Sequence, residues 1–86
     1  SFMKEYNIGD LVLLTLDSPG SVGITQGLAD YKERKFRISK VKTIIPKNKS
    51  AGSRATYYEL KGCVSEAGIP YAVTGDWIQP MRELKR

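Results

Sequence analysis

Nine basic residues fall between positions 32 and 54: Lys32, Arg34, Lys35, Arg37, Lys40, Lys42, Lys47, Lys49 and Arg54, with Glu33 as the one acid among them. That segment carries +8, and because the whole chain carries +5, the rest is left at −3. Phosphates repeat along a nucleic-acid backbone, so cations crowded on one flank can neutralise several of them together. Charge segregated in this way also raises the local potential that a polyanion feels. Two aromatic residues, Tyr57 and Trp77, could add base stacking, which is worth about 1–3 kcal/mol per base. Tyr31 lies beside the basic run. The competing account is structural: a solvated surface for the cations, and core or loop-packing contacts for Trp77, Tyr31 and Tyr6.

Other chemistries find little support. The chain has no histidine and a single cysteine, Cys63, which removes disulfide frameworks, a histidine general base and His/Cys zinc sites. A Cys63 nucleophile would need Lys61, Glu59 or Glu66 as its base, and nothing in the spacing marks such a site. Asp10, Asp17, Asp30 and Asp76 are scattered turn residues without the spacing of a metal loop. The run Gly20-Ser21-Val22-Gly23-Ile24-Thr25-Gln26-Gly27 matches neither the P-loop nor the dinucleotide fingerprint, so it reads as loop. The expectation is a non-catalytic binding protein with no cofactor, no metal and no small-molecule substrate.

The elements that must position the basic residues are short strands. Eighty-six residues with 41% apolar content suffice for one core and no second one. Ser1 and Phe2 ahead of Met3 read as an appendage to a native start, leaving 4–86 as a single domain. After the turn at Asn7-Ile8-Gly9-Asp10, the run Leu11 to Leu16 has strand length, with Val12, Leu14 and Leu16 on one face and Leu11 and Leu13 on the other. A long loop follows from Asp17 to Arg34, expected to fold back as an irregular hairpin.

From Phe36 to Pro46 the apolar phase flips once: Phe36 and Ile38 are even, whereas Val41, Thr43 and Ile45 are odd. A bulge between Ser39 and Lys40 explains the flip and sets Arg37, Lys40 and Lys42 on one outward side. Pro46 to Ala55 reads as a polar, basic loop. Thr56 to Val64 alternates, with Tyr58, Leu60 and Val64 inward and Tyr57, Glu59, Lys61 and Cys63 outward. Ser65 to Gly68 turns into Ile69–Thr74, where Ile69, Tyr71 and Val73 share a face and Pro70 marks a strand start or an edge. Asp76 is positioned to cap a helical turn over Trp77, Ile78 and Gln79, and Met81 to Leu84 is expected as the last strand.

This arithmetic gives an all-β fold, a small five-stranded barrel with a long first loop and one helical turn before the last strand, because short strands lose their open edges by closing. The pattern Ile8-Gly9-Asp10-Leu11-Val12-Leu13-Leu14, Lys35-Phe36-Arg37-Ile38-Ser39-Lys40-Val41, Tyr58-Glu59-Leu60 and Thr74-Gly75-Asp76-Trp77-Ile78-Gln79-Pro80 resembles the SH3-like barrel superfamily. Within it, the pattern is similar to the small SH3-like modules of integrases, chromo-type and related nucleic-acid-associated proteins. The Ala-Leu-Tyr-Asp-Tyr opening and the tryptophan pair of signalling SH3 domains are missing, so the resemblance does not imply proline-rich peptide recognition.

Two functions follow as expectations. In the first, Lys32, Arg34, Lys35, Arg37, Lys40, Lys42, Lys47, Lys49 and Arg54 hold a DNA or RNA backbone while Tyr57 or Trp77 stacks a base. In the second, the protein is an accessory interaction module of the phage or mobile-element type, whose exposed edge or long loop takes an acidic or extended segment of a partner protein. No apolar run is long enough to span a membrane, and the first residues lack a secretion signal, so a cytoplasmic location is expected.

Overall fold

A computed structural model of the chain describes residues 5–16, 26–45, 47 and 55–81. Among these, the elements in chain order are β1 (Leu11–Leu14), α1 (Gln26–Ala29), β2 (Lys35–Ile44), β3 (Ala55–Val64), β4 (Pro70–Thr74), a 3-10 turn (Gly75–Trp77) and β5 (Ile78–Pro80). The five strands form an antiparallel sheet in the order β4-β3-β2-β1-β5, an all-β arrangement compatible with a small barrel.

Strand β2 is longer than either of its neighbours' claims on it. Its first residues pair with β1 (Leu11 opposite Arg37, Val12 opposite Phe36, Leu13 opposite Lys35), and from Ile38 onward it pairs with β3. The handover is a register shift between Ile38 and Lys40, where the phase of the sequence flips, and the Ser39 hydroxyl at the shift donates to the Glu59 carbonyl at 3.1 Å. A bulge of this kind bends a strand and increases its twist, which lets one strand serve two halves of a curved sheet.

The alternation on either side of the bulge builds the core. Val12, Leu14, Phe36, Ile38, Tyr58, Leu60, Cys63, Val73 and Ile78 are buried together, and Tyr6, Leu16 and Leu28 close the cluster's ends. Each large apolar side chain removed from water contributes about 1.5–3 kcal/mol. Tyr6 and Tyr58 pack edge to face with centroids 5.4 Å apart, and the Tyr6 amide donates to the Tyr58 hydroxyl at 3.3 Å. No buried side-chain nitrogen or oxygen among the described residues lacks a partner.

Several expectations are corrected. The last strand is Ile78–Pro80 rather than Met81–Leu84: Ile78 is buried opposite Leu14, and the Met81 amide donates to the Leu11 carbonyl. Residues 82–86 lie outside the described ones. The helical turn spans Gly75–Trp77 and is preceded by Thr74 with no side-chain cap, so Asp76 sits within the turn instead of capping it. The Trp77 carbonyl accepts from the amides of both Thr15 and Leu16, which ends β1 at Leu14 and turns Leu16 into a positive φ of 56°. Cys63 points into the core, fully buried, whereas Val64 is half-buried, because Gly62 (φ +89°) sits in a second register shift that reverses the alternation. Ile69 is exposed and precedes β4, whose Pro70 pairs with Val64.

Within the described part of the long first loop, α1 docks on the sheet. Leu28 is buried, Tyr31 packs edge to face on Phe36 (5.7 Å) and Tyr71 (6.4 Å), and the Tyr31 hydroxyl donates to the Val64 carbonyl at 3.0 Å. Tyr31 thus pins the loop, the structural role the sequence offered for it.

Candidate nucleic-acid interface

The outward face of the sheet is read off the pairing. Val41 lies opposite the buried Tyr58, so Lys40 and Lys42 stand on the other side, across from Glu59 and Tyr57 respectively. Before the bulge, the buried Phe36 and Ile38 leave Lys35 and Arg37 on that same side, across from Leu13 and Leu11. Without the bulge, Lys40 and Lys42 would have followed Ile38 to the inner face. Lys35, Arg37, Lys40 and Lys42 are all exposed, and at about 3.3 Å per residue the stripe runs roughly 20 Å.

Their surroundings differ. Arg37 donates to the Gly9 carbonyl at 3.0 Å, which anchors its guanidinium at the turn leading into β1. Lys40 faces Glu59, with no ion pair formed between them, and Lys42 faces the half-buried Tyr57, whose other neighbour across β3 is Thr74. Tyr57 is therefore the aromatic ring that the fold brings to the stripe. Lys61, exposed on β3 one residue past Leu60, belongs beside this group, since Leu60 pairs with Ile38. The sequence placed Lys61 outward, but its distance in the chain from the basic run hid its proximity.

The other expected residues are distributed elsewhere. Lys32 and Arg34 flank the exit from α1, and Arg34 lies over the Tyr31 ring at 5.6 Å, a cation–π contact that ties it to the loop. Lys47 is exposed beyond the end of β2, while Lys49 and Arg54 lie outside the described residues. Trp77 packs against the core in the 3-10 turn, and its backbone holds Thr15 and Leu16. It has a structural role there and no pairing that brings it to Lys40 or Lys42.

Cys63 is fully buried, and burial pushes its thiol up to about 11, the reverse of what a nucleophile needs. Among the described residues no group of three or more His, Cys, Asp or Glu side chains is arranged to hold a metal ion, and no helix is long and apolar enough to cross a membrane. Comparison of the chain with protein-family models, with curated proteins and with solved structures finds no significant match.

Proposed function

We propose that this protein is a non-catalytic module that binds the phosphate backbone of nucleic acid along the outward face of β2. The observation that carries the reading is the bulge at Ser39, which keeps Lys40 and Lys42 on the side of Lys35 and Arg37 and sets Tyr57 next to Lys42. Four cations along one strand match a ligand whose charge repeats, and a half-exposed tyrosine beside them offers a plane for a base. Lys61 and Lys47 extend the positive field, and Glu59, opposite Lys40, is a carboxylate within it. The all-β order with a helical turn before the last strand also supports assignment to the SH3-like class that the sequence resembles.

Strand geometry of this kind reads charge and not base edges, so affinity should vary little with sequence. Fluorescence anisotropy with single-stranded DNA, duplex DNA and RNA across a salt series tests the reading directly. Binding that weakens steeply with salt, and weakens for all three ligands in Lys42→Glu, is the expected result. Affinity unchanged by Lys42→Glu and Lys40→Glu would remove the stripe as the site.

A further inference from the structure

Strand β2 has a second surface that the phosphate reading leaves unused. Pairing with β1 covers Lys35–Arg37, and the bonds that Gly9 and Asp10 make with Ile38 end that contact. From Lys40 to Ile44 the strand is bonded to β3 alone, and no described residue hydrogen-bonds its other edge. A strand paired on one side turns alternate N–H and C=O groups outward, where another strand can take them up. Beside this edge, on the inner side of the sheet, lies an open groove of about 500 Å³ lined by Tyr6, Ile8, Val41, Thr43, Thr56 and Tyr58. Ile8 is 68% and Val41 37% exposed there, and Ile45 at the end of the strand is 67% exposed. An open edge next to uncovered apolar side chains is the arrangement that strand addition fills.

Charge selects the occupant. A second copy joined edge to edge would bring the Lys40 and Lys42 of each protomer together on one face, and like charges across a strand pair are destabilising. A nucleic-acid strand has no N–H and C=O ladder to offer the edge. We propose that Lys40–Ile44 takes an extended segment of a partner protein as an added strand, with apolar and acidic side chains alternating along it. The period of two then sets the apolar side chains into the groove beside Val41 and Thr43, and the acidic ones on the outward face beside Lys40 and Lys42. Glu5, which also borders the groove, disfavours the opposite phase. This interaction goes beyond phosphate binding. It shares Lys40 and Lys42 with it, so the two ligands compete, but the groove lies on the other side of the sheet.

The probe is a labelled, end-capped peptide of about eight residues alternating Asp and Ile, a usual strand length. Its control has the same composition with the Asp residues grouped ahead of the Ile residues. Anisotropy should show the alternating peptide binding at least about tenfold tighter than the grouped one, the size expected from a few correctly phased cross-strand pairs. Val41→Glu and, separately, Ile8→Glu should abolish peptide binding while leaving oligonucleotide affinity unchanged, because both side chains stand off the cationic face. Amide exchange across Lys40–Ile44 should slow on adding the peptide. Equal binding of the two peptides, no binding, or binding indifferent to both substitutions would overturn the proposal. So would a concentration-dependent dimer that Val41→Glu abolishes, since the edge would then serve a second copy. Loss of oligonucleotide binding alone, with the peptide result intact, would count against the phosphate reading and not this one.

Discussion

Replacing Lys40 and Lys42 together by alanine tests the phosphate reading through a slope instead of a single affinity. The outward face of β2 presents Lys35, Arg37, Lys40 and Lys42. If all four meet phosphates of a single strand, log Kobs should fall against log salt with a slope of about −2.8, from about 0.7 per phosphate neutralised. Removing two leaves about −1.4. Between 50 and 200 mM salt the parent should then lose about 50-fold in affinity and the double variant only about 7-fold. Both side chains are exposed and neither makes an ion pair with a described residue, so the fold should tolerate the change, and a thermal melt confirms it. Anisotropy with an oligonucleotide of one length at four or five salt concentrations gives both slopes. Parallel lines would show that the two lysines release no counterions, and the argument from the bulge to the ligand would fail with them. Glu59→Gln, which removes the carboxylate facing Lys40, should raise affinity at low salt without steepening the slope much.

Three further outcomes concern the scaffold. A Cβ on Gly27 would land on the Tyr71 hydroxyl, so Gly27→Ala should cost about 1–3 kcal/mol and lower the melting temperature by several degrees, and adding Tyr71→Phe should restore part of the loss. An unchanged melt in Gly27→Ala would mean that α1 does not dock as described. Gly62→Ala meets no neighbouring atom but must hold φ near +89°, so it should destabilise by about 1–2 kcal/mol through backbone strain alone, read from urea midpoints at constant m. Burial raises the Cys63 thiol to about 11 from its ordinary value of 9.0, so the unfolded chain releases that proton first. The thiol's contribution is therefore complete below pH 9 and lost as pH rises toward 11. Urea melts over this range should fall less steeply in Cys63→Ala than in the parent, and identical pH profiles would refute the burial.

What the sequence made legible was alternation. The phase flip in Phe36–Ile45 located the bulge, and with it the outward side of Arg37, Lys40 and Lys42, since a period of two admits no other way to keep Phe36 and Ile38 inside. The same logic failed at Cys63, because a glycine followed by a small residue leaves no apolar phase to read, and Gly62 reverses the alternation through a positive φ that composition does not announce. The last strand was misplaced by a few residues: Ile78-Gln79-Pro80 is too short to show a periodicity of its own, and its pairing is set by Val12, Leu13 and Leu14 far away in the chain. Lys61 and the Glu59–Lys40 opposition were invisible for the same reason, as both depend on cross-strand register. The inward direction of Val41, Thr43 and Ile45 was legible, but their exposure was not, because it depends on β1 ending its partnership with β2 at Arg37.

That early end of β1 divides β2 into two halves with different duties. Over Lys35–Ile38 the strand is paired with β1, joined by β3 at Ile38, and its inner residues Phe36 and Ile38 are buried, so substitutions there should register mainly as stability. Over Lys40–Ile44 β3 is its one partner among the described residues, its inner face opens on a groove and its outer face carries lysines, so substitutions should register mainly as binding. The bulge at Ser39 lies on the boundary between the halves and sets the phase of the second relative to the first. Deleting Ser39 would remove the extra residue and restore strict alternation with the phase kept, Ile38 and Val41 inward and Lys40 and Lys42 outward, on a strand without the bend. Such a variant should keep oligonucleotide and peptide binding together if it folds, whereas Val41→Glu separates the two. A deletion variant that melts like the parent but loses both activities would show that the bend at the bulge, and not the phase it keeps, decides which residues the ligands meet.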